Sequence, residues 1–152
     1  MGQFSMTTAA RIGVDTHIVS YLLLANTSDI SNETDQKLMR EELAIQSLWL
    51  SPYCDLFVAP TVWKEIARIP GYRAGTLPNM SLRDQNVGTL ILLFNEILGL
   101  DAHTVDARAR HYNQFHNDMD DCYLVAECEE AALDVVLTFD QDLLKHLRHR
   151  AN

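Results

Sequence analysis

Compact apolar runs, each closing on a polar residue that opens an amphipathic stretch, alternate along this 152-residue chain. Arg11–Val14 leads into Asp15 and Thr16 and then into an apolar stretch reaching Ala25, the pattern of a short strand, a polar junction and a helix. Leu56–Ala59 is a second such run. Pro60 and Thr61 follow it and predict a helix over Val62–Ile69 with Thr61 as its cap. Val135–Thr138 is a third, and the spacing beyond it predicts a helix over Gln141–Arg150. Gln36–Leu50 carries Leu38, Met39, Leu43, Ile45 and Trp49 among charges, as an amphipathic helix does, and Ser51 and Pro52 stop it. Helices are also predicted from Ser81 to about Phe94, over Asp101–Phe115 and over Asp118–Ala132. Ile97–Leu98 reads either as a short strand or as a continued helix. Asn26–Asp35 and the Gly- and Pro-containing Pro70–Met80 read as loops.

Strands that alternate with helices imply a mostly parallel sheet covered on both faces, a three-layer α/β/α domain joined by right-handed crossovers. The length suits one domain over residues 11–150, with 1–10 as a flexible leader and Met6 as a candidate native start. Residues that are 47% hydrophobic suffice for one core. No apolar run approaches the roughly 18 residues of a membrane helix, and the N-terminus lacks the parts of a signal peptide. A soluble, cytoplasmic protein is therefore expected. Cys54, Cys122 and Cys128 are an odd set without CxxC spacing, which speaks against a disulfide framework or a zinc site and for reduced thiols.

Function in open parallel sheets concentrates at the carboxyl ends of the strands. Asp15 directly follows the first predicted strand, Asp140 lies just beyond the last, Glu65 sits in the first turns of the helix after the second, and Asp121 opens the helix Asp118–Ala132. Four acids from distant parts of the chain are thus candidates for one place. Mg²⁺ and Mn²⁺ prefer such oxygen ligands, lower the pKa of a bound water and stabilise charge on an attacked phosphate. The net charge of −9 excludes a broad basic surface for nucleic acid, but a cation held by carboxylates reverses the local sign. Each acid also has an ordinary structural role available. Asp15 suits a helix cap, Asp118 with Asp121 resembles a capping box, Asp140 and Asp142 favour a helix start, and Glu65 can pair with Arg68 or Arg11.

Four segments together resemble the PIN-domain ribonucleases, a family that includes the toxins of VapBC-type toxin–antitoxin pairs. Arg11, Ile12, Gly13, Val14, Asp15 and Thr16 are similar to the family's opening strand and its Asp followed by Thr or Ser. Thr61 to Ile66 resembles its helix with a metal-site Glu, here Glu65. Asp121, Leu124, Ala126 and Cys128 resemble its Asp-x-x-Leu-x-Ala-x-Ala helix, with Cys128 where a small residue is usual. Leu137, Thr138, Asp140 and Asp142 resemble its closing segment, so the likeness spans about Arg11 to Leu147. The resemblance implies that Asp15, Glu65, Asp121 and Asp140 bind Mg²⁺ or Mn²⁺. It makes Asp142 an additional or water-mediated ligand and gives Thr16 and Thr138 the role of orienting carboxylates or water. The implied reaction is endonucleolytic hydrolysis of RNA that leaves a 5′-phosphate, and the implied partners are RNA and an antitoxin protein. The amphipathic second helix and exposed aromatic residues would suit a homodimer. Asp118 and Asp120 crowd Asp121, which leaves the register of the third acid open.

Two other functions compete. One is a catalytically silent PIN-like module that binds RNA or a protein, against which the four intact acids count. The other is a haloacid-dehalogenase-like phosphatase, which needs a second Asp two residues after the first, where this chain has Thr16 and His17 after Asp15. Arg68, Arg73, Arg83, Arg108 and Arg110 are candidates to meet RNA and equally suit a solvated face. His146 and His149, three apart on the last predicted helix, read as ordinary exposed residues, with no third soft ligand near them in sequence. Trp49 and Trp63 read as core.

Overall fold

The three apolar runs lie side by side. The structure, a computed structural model, describes residues 8–19, 33–68 and 94–148. Strand β1 (Ala10–Val14) pairs in parallel with β2 (Cys54–Val58) on one side and with β4 (Val135–Leu137) on the other. A two-residue β3 (Asn95–Glu96) pairs in parallel with β2, so the order is β3-β2-β1-β4. Helices α1 (Glu33–Leu50), α2 (Pro60–Arg68), α3 (Ala102–Asn113), α4 (Met119–Glu130) and α5 (Gln141–Leu147) connect and cover this sheet, giving the three-layer α/β/α architecture. Among the described residues no helix is long and apolar enough to cross a membrane.

Packing explains the order. Ile12, Val14, Leu56 and Val58 of the central strands are buried with Ile18, Val19, Ile45 of α1, Val62 of α2 and Leu124 and Cys128 of α4. A second cluster, Val105, Ala109, Tyr112, Cys122, Val125, Ala126, Leu143 and Leu147, joins α3, α4 and α5. Helix α4 belongs to both, facing the sheet with one side and two helices with the other. Trp49 and Trp63 are partly buried against the first cluster, as expected. At Gly13 the sheet and α4 pack tightly, because a Cβ there would stand 2.5 Å from Cys128 Sγ.

Several boundaries differ from the sequence expectation. Helix α1 begins at Glu33, within the segment expected to be loop, and its Leu43 is exposed rather than packed. The short strand falls on Asn95–Glu96 instead of Ile97–Leu98, since pairing with Phe57 and Val58 sets its place; Ile97 N still donates to Val58 O at 3.3 Å. Phe94, the expected end of a helix from Ser81, is a buried bend residue, and the rest of that segment lies outside the described residues, as do the loop Pro70–Met80, the leader 1–7 and the stretch 20–32. The chain is helical at 16–19, as expected after Asp15. Thr61 is not the cap of α2. Pro60 already starts the helix, and the Thr61 N–H and hydroxyl donate to Glu127 of α4.

Candidate metal centre

Parallel register brings the first two acids together. Val14 stands opposite Leu137, so the residues that leave these strands, Asp15 and Thr138, emerge as neighbours. Asp15 N donates to Leu137 O at 3.2 Å, and the Thr138 hydroxyl donates to Asp15 Oδ2. The same hydroxyl accepts from Asp140 N at 3.0 Å, which ties the last acid to the first through one side chain. The strand order reverses here, with β2 and β3 on one side of β1 and β4 on the other, which is where a crevice opens in folds of this type.

Each of these acids also ends a helix. Asp15 Oδ1 accepts from Ile18 N at 3.0 Å, and Asp140 Oδ1 accepts from Asp142 N at 2.9 Å and Leu143 N at 3.1 Å. Asp118, not Asp121, caps α4, accepting from Asp120 N at 2.9 Å and Asp121 N at 3.3 Å. The capping role does not compete with a place at the sheet edge, because a strand-to-helix junction there is also a helix N-terminus, which favours negative charge.

Glu65 and Asp121 approach from α2 and α4. Burial raises the Glu65 carboxyl above its ordinary value, the Thr16 hydroxyl pulls it partly back, and the charges of Asp120, Asp121 and Asp118 push it up again. Asp121 behaves likewise: burial raises it, the hydrogen bond from His116 lowers it, and Asp118 and Asp140 raise it. Four carboxylates thus share one end of the sheet with two more, Asp118 and Asp120, beside them. Thr16 Oγ1 is buried and makes no hydrogen bond of ordinary geometry, with the Glu65 carboxyl as its neighbour. Asp142 is exposed and joins the group through its backbone N–H to Asp140.

The family model for the PIN domain matches residues 12–149 of the 152. The chain belongs to the PIN domain family. No curated protein matches it. PIN domains are as a rule metal-dependent nucleases, so the acids of this PIN domain have to be tested against a divalent ion. Among the described residues no group of three or more His, Cys, Asp or Glu side chains is arranged to hold a metal ion. The donor chemistry nonetheless fits. All four acids offer hard oxygen ligands, two of them have raised pKa values in part because like charges face one another, and the buried Thr16 hydroxyl beside Glu65, without a hydrogen bond of ordinary geometry, adds a further oxygen.

Three side chains beside these acids take a place that the sequence did not indicate. His116 Nε2 lies 2.7 Å from Asp121 Oδ2. His146 is half-buried against His116, not the exposed residue the sequence suggested, while His149 lies outside the described residues. Glu127, only 5% exposed, accepts from Thr61 N at 3.0 Å and Thr61 Oγ1 at 2.6 Å, and so fixes the start of the helix that carries Glu65. The arginines are engaged elsewhere. Arg108 pairs with Glu129 and Glu130 at 3.2 and 3.4 Å, and Arg110 pairs with Asp106 at 2.8 Å. Arg11 stacks over Phe57 and donates to the carbonyls of Ala131 and Ala132, so it is not the partner of Glu65. The Arg68 side chain, Arg73 and Arg83 lie outside the described residues.

Proposed function

We propose that this PIN domain is an Mg²⁺- or Mn²⁺-dependent endoribonuclease. The observation that carries the proposal is the Val14–Leu137 register, which sets Asp15, Thr138 and Asp140 side by side, with Asp121 close enough to raise the carboxyl of Glu65 and Asp140 close enough to raise that of Asp121. Asp15, Glu65, Asp121 and Asp140 would hold the cation, with Asp142 as an additional or water-mediated ligand. A bound divalent ion supplies Lewis-acid activation of water and stabilises charge on the attacked phosphate. Thr138 orients the Asp15 carboxylate, and the Thr16 hydroxyl, beside Glu65, would orient that carboxylate or a water. Hydrolysis of the phosphodiester would leave a 5′-phosphate.

Labelled mixed-sequence RNA incubated with Mn²⁺ tests this. Cleavage to 5′-phosphate ends is expected from wild type, with EDTA abolishing it and Asp15→Asn or Asp121→Asn lowering it by more than about 100-fold, the upper end for merely outer-sphere partners. Cleavage that persists in EDTA, or at the wild-type rate in both variants, would remove these acids from the reaction.

A silent module that binds RNA or a protein partner is the second reading. It draws on the acids not closing into a metal-holding group as they stand. RNA retained without cleavage at millimolar metal would favour it. Membership of a toxin–antitoxin pair rests on the family resemblance alone, and a homodimer on the amphipathic pattern of Gln36–Leu50 and on exposed aromatic residues. Growth arrest on expression, relieved by the product of a neighbouring small reading frame, tests the first, and sedimentation the second.

A further inference from the structure

His116 has no part in the reaction as proposed, yet both its ring nitrogens are committed. The side chain is buried, Nε2 lies 2.7 Å from Asp121 Oδ2, and Nδ1 lies 3.0 Å from His146 Nδ1. The two rings meet at 5.2 Å between centroids, tilted by 54°. The backbone is held as well: His116 O accepts from Asn113 Nδ2 at 3.1 Å and from Cys122 Sγ at 3.4 Å.

Counting protons fixes the arrangement. An ionised Asp121 has only acceptors, so the hydrogen of a neutral His116 ring sits on Nε2. Nδ1 of that ring is then an acceptor, and the hydrogen between the two rings must come from His146 Nδ1. His116 lies in the turn between α3 and α4, and His146 lies on α5, whose N-cap is Asp140. The chain Asp121–His116–His146 therefore links the helix that carries one acid to the helix that another acid caps. An unheld Asp121 would turn away from the like charges of Asp118 and Asp140, and a directed N–H donor opposes that rotation.

We propose that His116 is a positioning residue for the metal centre: His146 fixes its tautomer and ring plane, and its Nε2–H holds Asp121 Oδ2 and so fixes the direction of a carboxylate that would hold the cation. The proposal rests on the metal-site reading above. It is the imidazole-to-carboxylate counterpart of the partners that orient metal ligands in other proteins.

Mn²⁺ binding, followed by the electron paramagnetic resonance of the free ion, tests it on wild type, His116→Ala, His116→Gln and His146→Ala. The Gln amide nitrogen can take the place of His Nε2 and donate to Asp121. His116→Ala is expected to weaken Mn²⁺ binding by about 10- to 100-fold, with His116→Gln recovering most of the loss and His146→Ala losing less than His116→Ala. Nitrogen-15 spectra of the metal-free wild type should show His116 with Nε2 protonated and Nδ1 bare, a readout that needs no variant to fold. Wild type that binds Mn²⁺ beside a His116→Ala variant binding equally tightly overturns the role of His116 and leaves the metal site standing. A folded His116→Gln as weak as His116→Ala, or a His116 ring protonated on Nδ1 alone, also overturns it. Wild type that binds no Mn²⁺ overturns the metal-site reading and this proposal with it.

Discussion

Gly13→Ala should destabilise the protein, and Cys128→Ala should repair most of the damage. The added Cβ would stand 2.5 Å from Cys128 Sγ, 3.1 Å from Leu133 Cδ1 and 3.5 Å from Cys128 Cβ. Cys128 is 1% exposed and sits between the sheet and α4, so its sulfur has nowhere to swing. Overpacking of this kind costs about 1–3 kcal/mol, and the gain from replacing a strand glycine by alanine offsets about 0.5–1 of it. A net loss of up to about 2.5 kcal/mol follows, or up to roughly 10 °C in melting temperature for a chain of this size. Cys128→Ala alone removes one buried sulfur and should cost about 1 kcal/mol, like the loss of a buried methyl group. In the double variant the new methyl occupies the space of the sulfur and meets only the 3.5 Å contact with Cβ and the Leu133 tip. Urea unfolding of the four proteins should therefore give a favourable coupling of at least about 1 kcal/mol. Additive losses, with a coupling below about 0.5 kcal/mol, would refute the packing of β1 on α4 described here. The same pair explains why a cysteine is tolerated where a smaller residue is usual: the glycine opposite makes the room.

The remaining expectations concern the acids. Glu127→Ala strands the buried N–H and hydroxyl of Thr61 and should lower stability by about 1–3 kcal/mol in urea unfolding, with Glu127→Gln losing less; a loss no greater for Ala than for Gln would mean that the carboxylate does not anchor α2. Burial raises the carboxyls of Glu65, Asp121 and Glu127, so the folded protein holds these protons more tightly than the unfolded chain, whose values are 4.5 for Glu and 3.8 for Asp. Their contribution is full below those values and is lost as pH rises through the raised folded ones, so melting of the metal-free protein should fall as pH rises above these ordinary values, and millimolar Mn²⁺ should reverse the trend; a metal-free melting temperature that these carboxyls make rise there would contradict the account.

The parts of the site that were legible in the sequence are those that depend on local pattern. Val14 and Leu137 end apolar runs, so Asp15 and Asp140 could be placed at strand ends without knowing how the strands pair. The capping reading of Asp118 was legible too, since a cap acts within three residues. What stayed hidden depends on contacts made across the chain. Glu127 reaches Thr61 from 66 residues away, and a buried glutamate inside an apolar helix leaves no local trace. His116 and His146 are 30 apart and meet only because α3, α4 and α5 share a core. Strand β3 was misplaced by two residues because its pairing with Phe57 and Val58, not its hydrophobicity, decides where it lies: both of its residues are exposed.

The central claim is that these acids form one cation site, and melting under metal titration tests it most directly. Wild type and Asp121→Asn are melted across a series of Mg²⁺ and Mn²⁺ concentrations. Without metal the variant should melt no lower than wild type, because the Asn oxygen still accepts from His116 and one repelling charge is gone. With metal the wild type should gain about 2.7 kcal/mol at a concentration of 100 times Kd, and the variant should gain little. A wild type whose melting temperature ignores both ions, or a variant that rises as far as the wild type, would contradict the site.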